Sequence, residues 1–526
     1  MITMKKMSTG VFCGLLWLGV NASAFAAEAG NKGILLRTDV FAKGVDGYNT
    51  YRIPTMVVTA KGTLLLFVEG RKDSRRDSGD IDMLLKRSED GGKTWSKQMV
   101  LLDEGPGRVG NSCAIVERNG KTVHLLFTRG GGECFFHTKS SDEGKTWSKL
   151  VASSDRPDQK EYKKTNFLKD FGGSPVQIGA GPVHGMHTKT GRLIAPSYIG
   201  RTVDGKRVGN CTTIYSDDGG KTWRPGGLVP NNLAGGECTM VIRSDGSYLM
   251  NMRVGAGYRA ISTSSDRGVT WSKAVLDKAL PEPSCQGSLI RLNDKEILFS
   301  NPAVHWTGAF AIWSRRNLTL RLSKDDGKTW PHARCLNEGL AGYSDIAVTK
   351  DGRIFCVFEN GTNDYCDKIS VVQVDRKWLL AGKPGQKKKT PVTASYHSPF
   401  YTLSAVADGI EPKNSADQGV PRFAWWDHLG TKEWVQHTFP KPRKISAVEV
   451  YWYANRGVQT PKSWRLLYLA GKEWKEVSGA SGYGTEADKY NKVTFKAIET
   501  KALRIEAQLK SKLSSGILEW RILPAQ

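Results

Sequence analysis

The residues of this sequence best suited to chemistry are arginines that stand at the ends of apolar, strand-like stretches. Arg52 lies near the start of the first stretch, and Arg71 ends the next one. Arg253 closes a later stretch, and Arg315 precedes another. A guanidinium group binds a carboxylate through two parallel hydrogen bonds. Arginines that converge from separate strands would therefore make a site for an anionic small molecule, whereas each arginine alone is more often an ordinary surface residue.

Other polar residues outside the turns also look out of place in a strand-rich scaffold. Asp77 follows the stretch that ends at Arg71, and Glu237 precedes the strand that finishes at Arg253. Tyr343 lies in a Gly-Tyr-Ser segment, and the strand after it ends at Glu359.

A repeated turn motif sets the architecture that must position these residues. The pattern SxDxGxTW occurs five times and ends at Trp95, Trp147, Trp223, Trp271 and Trp330. In such a turn Asp and Ser accept backbone hydrogen bonds, Gly supplies a positive φ, and Trp packs its ring beneath the turn. The motif predicts hairpin turns, so we interpret its aspartates as structural and not catalytic.

A second pattern runs out of phase with the turn motif. A polar or Gly-containing turn followed by an apolar strand appears six times, at 62–68, 121–128, 191–198, 246–252, 295–300 and 352–358. Each unit has room for four short strands, and no long helical period lies between the units. We therefore predict an all-β protein in which residues 33–380 form a six-bladed β-propeller.

The chain changes character after this region. Residues 381–390 (AGKPGQKKKT) are rich in Gly, Pro and Lys and are predicted to be a linker. Residues 391–526 lack the turn motif and contain alternating strands with many aromatic residues. This pattern predicts a single C-terminal β-sandwich.

The start of the chain predicts export. Lys5 and Lys6 precede an apolar stretch at 11–20 and then small residues, so residues 1–27 are predicted to be a signal peptide. We expect a secreted or periplasmic protein without a transmembrane segment. None of the cysteines forms a CxxC pair, so zinc is not expected, and most are predicted to be buried thiols whose disulfide pattern stays open.

Composition excludes wholesale disorder and constrains the partners. The 526 residues are 39% hydrophobic and carry a net charge of +24. The basic residues are spread along the chain, which favours a solvated basic surface, and nucleic acid is not an expected partner of an exported chain without a recognition module.

The segment Tyr51-Arg52-Ile53-Pro54, followed by the repeated turn motif, resembles the bacterial and animal exo-sialidases over about residues 35–365. The resemblance implies a six-bladed propeller that cleaves terminal sialic acid with retention of configuration. It implies a triad of Arg52, Arg253 and Arg315 around the sugar carboxylate, with Arg71 also contacting the sugar.

The same resemblance assigns the remaining roles. Asp77 is implied as acid/base, Tyr343 as nucleophile, Glu237 as the base that activates it, and Glu359 as the residue that orients Arg52. A neutral tyrosine avoids the repulsion that a carboxylate nucleophile would meet beside the sugar carboxylate. Because a free tyrosine has a pKa near ~10, it needs a base. No metal or organic cofactor is implied.

Three departures from the family pattern affect these assignments. The stretch Gly110-Asn111-Ser112-Cys113 lacks the aspartate that often contacts the sugar. Arg316 adjoins Arg315, and the choice between them depends on spacing to Asn317. Residues 181–185 are less Gly-rich than in the family, which predicts a reshaped pocket.

The C-terminal part resembles the discoidin or coagulation-factor-type C domains. The resemblance lies in residues 405–409 (AVADG), the WWD and EWVQ segments, and residues 503–508 (LRIEAQ). It implies a galactose-binding-like jelly roll. Contact with galactose or another glycan and a role as a spacer both stay open.

Together these observations predict an exo-α-sialidase that hydrolyses terminal sialic acid from sialylated glycans: mucin-type glycoproteins, gangliosides or oligosaccharides. The alternatives are a trans-sialidase, an enzyme for a sialic-acid variant, and a non-catalytic sialic-acid-binding propeller lectin. The set of Asp77, Glu237 and Tyr343 favours an enzyme, because a lectin needs no nucleophile. Linkage preference, oligomeric state and structural calcium stay open.

Overall fold

The computed structural model describes residues 33–130, 134–148, 151–152, 174–230, 233, 235–306, 314–362, 364–384, 392–398 and 400–525. The predicted signal peptide lies outside these ranges, as does the 385–390 part of the predicted linker. The described chain is all-β apart from the short helix α1 (Arg376–Leu380) and a 3₁₀ turn at Leu403–Ala407. No helix within the described ranges has the length and apolar character to cross a membrane.

After the opening strand, four antiparallel sheets follow one another along the chain in a propeller-like arrangement. Most strands pair with their sequence neighbours, which is the pattern of hairpins stacked radially. The opening strand and the first two sheets comprise β1 (Ile34–Ala42), β2 (Thr50–Val58), β3 (Leu64–Arg71), β4 (Ile81–Ser88), β5 (Met99–Leu102), β6 (Val109–Val116), β7 (Val123–Arg129), β8 (Cys134–Ser140) and β9 (Val151–Ala152). The next two comprise β10 (Ser174–Ala180), β11 (Met186–His187), β12 (Leu193–Val203), β13 (Lys206–Ser216), β14 (Arg224–Pro225), β15 (Cys238–Ile242), β16 (Tyr248–Met252), β17 (Tyr258–Ser264) and β18 (Val275–Pro281).

A larger sheet of seven strands closes this part of the chain. Its order is β1-β24-β23-β22-β21-β20-β19, so β1 lies beside the last strand, β24. Within it β22 is 17 residues long; its first half pairs with β21 and its second half with β23. The strands not yet given are β19 (Ser288–Arg291), β20 (Ile297–Pro302), β21 (Arg316–Ser323), β22 (His332–Val348), β23 (Ile354–Gly361) and β24 (Lys368–Val374).

The sequence located the strands of this region well. The six segments predicted as a turn followed by a strand fall on β3, β7, β12, β16, β20 and β23. Their side chains are mostly buried, because each of these strands lies inside its sheet with neighbours on both sides.

The C-terminal part forms one further sheet, ordered β26-β31-β27-β30-β28-β29 with β25 beside β27. Its two longest strands, β27 and β30, change register where they pair, which bends the sheet. The core contains the fully buried rings of Trp425, Trp452 and Trp520. The strands are β25 (Val392–Ala394), β26 (Phe423–Ala424), β27 (Lys432–Tyr453), β28 (Ser463–Ala470), β29 (Glu473–Glu476), β30 (Tyr490–Gln508) and β31 (Gly516–Pro524).

The five copies of the turn motif are structural turns, as predicted. In the second copy Ser140 Oγ donates to Asp142 Oδ1 at 2.7 Å, and the Thr146 amide donates to the same oxygen at 2.9 Å. Gly144 has a φ of 80°. The Thr146 hydroxyl donates to Asp142 Oδ2 at 2.6 Å. Burial acts to raise the pKa of Asp142, but these hydrogen bonds outweigh it and lower the pKa to about 2.

We expect Asp142→Asn to lower the free energy of unfolding by about 1 kcal/mol at neutral pH, because the turn loses hydrogen bonds to a charged group. Since the pKa of Asp142 is lower in the folded than in the unfolded chain, this stabilisation is present above about pH 4 and is lost as pH falls toward about 2. Denaturant unfolding of both proteins across this range checks it. A stability difference that does not narrow on acidification contradicts the assignment.

Candidate active site

Irregular pairing in three strands sets the directions of the site residues. The register shifts lie between Arg52 and Thr55 on β2, between Gly110 and Cys113 on β6, and between Ala341 and Ser344 on β22. Such bulges bend a strand and re-aim its side chains. Ile53 has a φ of 57°, which is unusual for a β-branched residue. The arginine before Ile53 and the tyrosine at the β22 shift therefore face a common centre.

Glu359 on β23 binds both the Arg52–Ile53 segment of β2 and Tyr343 of β22. Arg52 donates to Glu359 through Nε at 2.8 Å and through Nη2 at 3.2 Å. The backbone amides of Ile53 and Tyr343 also donate to Glu359, at 2.9 and 3.0 Å. Burial acts to lower the pKa of Arg52, but the charge of Glu359 outweighs it and holds that pKa well above its ordinary value. Gly342 permits this approach, because a Cβ there would collide with the Glu359 carboxylate.

Tyr343, Glu237 and Arg253 form a hydrogen-bonded group. The Tyr343 hydroxyl donates to Glu237 Oε1. Arg253 Nη1 lies 2.5 Å from Glu237 Oε2 and 3.0 Å from the Tyr343 oxygen. Burial, followed by the charge of Glu237, raises the pKa of Tyr343 well above its ordinary value. Burial acts to raise the pKa of Glu237, but the charge of Arg253 outweighs it, so the pKa of Glu237 is lowered. The tyrosine is thus neutral and its neighbour is a carboxylate.

Arg315 and Arg316 point in different directions. The Arg315 guanidinium lies 5.4 Å from the centre of the Tyr343 ring, and its Nη2 donates to the Ser284 carbonyl at 2.9 Å. Its buried Nε has no hydrogen-bond partner among the described residues. Arg316 instead donates to the Tyr401 carbonyl in the C-terminal part. The position chosen by spacing, Arg315, is the one that faces the other site residues.

Asp77 lies on a loop, residues 72–80, that we call the acid loop. Its side chain is 73% exposed and lies 2.8 Å from Arg71 Nη2 and 3.8 Å from Arg52 Nη1. Despite this exposure, desolvation by the surrounding protein acts to raise the pKa of Asp77, but the charges of Arg71 and then Arg52 outweigh it, so the pKa of Asp77 is lowered. Asp77 therefore borders the group from the solvent side, while Tyr343 lies at its buried side.

Two residues of the site were missed by the sequence reasoning. Glu69 binds Arg71 at 2.6 Å and accepts the Asn111 amide at 3.0 Å, as Glu359 does for its own arginine. The signal was present, because Glu69 and Arg71 lie on one side of β3 at a spacing of two. Tyr365 stacks 5.2 Å from the guanidinium of Arg52, and no sequence pattern marked it.

The eight predicted residues are thus joined in one group by hydrogen bonds, ion pairs and ring contacts. Their chemistry suits a ligand with a carboxylate: buried arginines to hold it, a neutral hydroxyl with an adjacent base, and an exposed acid opposite. Within the described ranges, carboxylates with metal-like spacing occur at Asp80, Asp82 and Asp103, and the ammonium of Lys72 lies among them.

Comparison with known protein families gives two matches. Residues 60–356 match the BNR repeat-like domain, and residues 391–519 match the F5/8 type C domain. These regions correspond to the propeller-like part and the C-terminal sheet.

Among curated relatives, the chain is 29% identical to a sialidase from Micromonospora viridifaciens over 412 residues, which cover 70% of this chain and 60% of the relative. It is 30% identical to a sialidase from Bacteroides fragilis over 350 residues, covering 60% of this chain and 61% of the relative. The chain thus spans about 60% of the length of these relatives. Among solved structures, the Hadza microbial sialidase Hz136 superposes with a TM-score of 0.54 and 25% identity, covering 65% of this chain and 69% of the other.

Proposed function

We propose that this chain, which belongs to the BNR repeat-like family, is a retaining exo-α-sialidase. It would act on terminal sialic acid of glycoproteins, glycolipids or oligosaccharides. One observation carries the proposal: the Tyr343 hydroxyl donates to Glu237 while Arg52, Arg253 and Arg315 surround it. The sialidases among its relatives support the substrate class. A lectin would use the arginines but has no need of a paired tyrosine and carboxylate.

In the first step, Tyr343 Oη attacks the anomeric carbon as its proton passes to Glu237. The bond to the glycosidic oxygen breaks, and Asp77 protonates that oxygen so that it leaves as an alcohol. The sugar carboxylate lies against the three arginines, which also separate it from Glu237.

In the second step, the Asp77 carboxylate removes a proton from water, and the water oxygen attacks the anomeric carbon. The bond to Tyr343 breaks, and Glu237 returns the proton to the phenolate. Two inversions at one carbon give net retention.

The substrate itself helps to make Asp77 an acid. In the free protein Arg71 and Arg52 keep the pKa of Asp77 low. A substrate carboxylate bound by Arg52 adds a negative charge and offsets that arginine. The pKa of Asp77 should then rise, which favours its protonated form when the leaving oxygen is in place.

We expect the first product released from an α-sialoside to be the α-anomer, because Tyr343 forms a covalent intermediate. NMR during hydrolysis of a fluorogenic sialoside checks this before mutarotation. A 2,3-difluorinated sialic acid should label Tyr343, which peptide mass spectrometry locates. Initial β-anomer, or label on another residue, would exclude the proposed nucleophile, and no turnover of any sialoside would favour the lectin. Addition of lactose tests the alternative of transfer to a sugar acceptor.

The domain organisation belongs to the same proposal. We infer six blades, with the seven-stranded sheet counted as two blades that share β22. Support comes from β22 itself, whose two halves pair with different strands. The blades would occupy residues 33–380, and residues 381–390 would link them to the C-terminal part.

For residues 391–526 we infer a β-sandwich of the jelly-roll type. Support comes from the bends in β27 and β30 around a core of tryptophans, and from the F5/8 type C match. This part would contact galactose or another glycan. Export through a signal peptide at residues 1–27 is also proposed, and it would bring the enzyme to extracellular glycans.

A further inference from the structure

The acid loop is closed at its base by Lys72. The Lys72 amide donates to the Asp80 carbonyl at 3.1 Å. Its ammonium lies 3.0 Å from Asp80, 3.2 Å from Asp82 and 3.2 Å from Asp103. Asp82 is on β4 and Asp103 follows β5, so one ammonium joins the loop to two strands.

The Lys72 ammonium occupies the position where a metal ion could otherwise neutralise these carboxylates. The three carboxylates have oxygen atoms within 4.8 Å of one another, where like charges repel strongly. The Asp82 side chain is buried, and Tyr48 also donates to it at 2.5 Å. Burial acts to lower the pKa of Lys72, but hydrogen bonds to the three aspartates outweigh it and raise that pKa. Lys72 therefore stays charged.

The Asp77 side chain itself makes few contacts that would fix its position. Its ion pairs are with Arg71 and Arg52, and under the proposed function both arginines contact the substrate. On the far side of the loop, Arg75 forms an ion pair with Asp364 at 2.8 Å. The position of the acid thus depends on how the loop is anchored more than on contacts of its own side chain.

We propose that Lys72 is a positioning residue for proton transfer, with its ammonium acting as an internal cation that fixes the acid loop and so holds Asp77 at the leaving oxygen. Lys72 itself touches no substrate. The inference rests on the proposed function, because it assumes that Asp77 donates a proton.

The role predicts a dependence on the leaving group. An alcohol such as the lactose of sialyllactose leaves only when protonated, whereas a nitrophenolate leaves without help. Loss of Lys72 should therefore slow cleavage of sialyllactose far more than cleavage of 4-nitrophenyl sialoside. A merely structural role would lower both rates together.

The test compares kcat/KM of both substrates for the full chain and for Lys72→Met. We expect a loss of about 10- to 100-fold on sialyllactose and little change on the aryl sialoside. The matched control is Lys86→Met, since Lys86 pairs with Asp46 at 3.1 Å on the same sheet but outside the loop. Equal losses on both substrates, or no loss, overturn the proposal. If Lys72→Met does not fold, Asp103→Asn removes one partner at the surface and should give a smaller loss with the same selectivity.

A second measurement, calcium binding followed by Tm, does not depend on enzymatic activity. With the ammonium gone, calcium should bind the three carboxylates of Lys72→Met, raise its Tm and restore cleavage of sialyllactose, while the wild type should not respond. A folded Lys72→Met that shows no calcium effect on Tm refutes the internal cation. If the wild type cleaves neither sialoside, the proposed function fails and the role of Lys72 in proton transfer fails with it, while the calcium titration still decides whether Lys72 holds the three carboxylates as an internal cation.

Discussion

Tyr343→Phe is expected to lower kcat for sialoside hydrolysis by about a thousandfold or more, because the nucleophilic oxygen is lost while the fold is kept. The phenyl ring still fills the space between the arginines, which lie 5.2 and 5.4 Å from its centre. Glu237 keeps its ion pair with Arg253, so no buried charge is left alone. Steady-state kinetics on an aryl sialoside, with Tm as the check on folding, measure the effect.

The matched control for this variant is Tyr365→Phe. Tyr365 also lies 5.2 Å from the Arg52 and Arg315 guanidinium groups, so this substitution removes a phenol oxygen beside the same arginines. It should keep most of the activity. A Tyr343→Phe protein within tenfold of the wild type would show that another group attacks the sugar.

Arg315→Ala is expected to lower kcat/KM roughly thirtyfold or more, because a bound carboxylate loses a charged partner. This factor corresponds to a loss of transition-state stabilisation of more than about 2 kcal/mol. In the free protein the Arg315 guanidinium can bind a further partner, since within the described ranges it makes one hydrogen bond, to the Ser284 carbonyl, and its Nε makes none. Arg52→Ala and Arg253→Ala should have effects at least as large, because Arg52 also pairs with the buried carboxylate of Glu359 and Arg253 with the proposed base Glu237.

Arg316→Ala is the control, since Arg316 is equally buried but donates to the Tyr401 carbonyl. It should lower Tm and leave kcat/KM close to that of the wild type. A larger kinetic loss in Arg316→Ala than in Arg315→Ala would reverse the assignment of the third arginine.

The sequence predicts this molecule best where local rules apply. The turn motif places its own hydrogen bonds within seven residues, so Asp142 and its copies could be assigned as structural without a fold. The arginines and Tyr343 could be listed because the family resemblance marks them. Of their partners, Glu69 could have been found, because it lies two residues before Arg71 on β3. Tyr365 could not, because it meets Arg52 through ring stacking, which no local pattern encodes.

The contact between the two parts of the chain was also not foreseen. The Gly, Pro and Lys composition of residues 381–390 predicts a linker and no contact across it, yet Arg316 donates to the Tyr401 carbonyl, and the ring centres of Trp306 and Phe400 lie 5.9 Å apart. Such contacts depend on which surfaces face each other after folding. Linker composition carries no information about them.

The pairing of β1 with β24 has a consequence for how the protein reaches its native state. Arg52 and Glu359 are 307 residues apart, and they meet only when the ends of this region come together. Closing so long a segment carries an entropic cost that local hairpins avoid, and chains rich in such distant contacts fold slowly. Individual sheets can form early from neighbouring strands, whereas the ion pair of Arg52 and Glu359 can form only later. Recovery of enzymatic turnover during refolding should therefore coincide with the pairing of β1 and β24, and spectroscopic recovery of strand content should precede it.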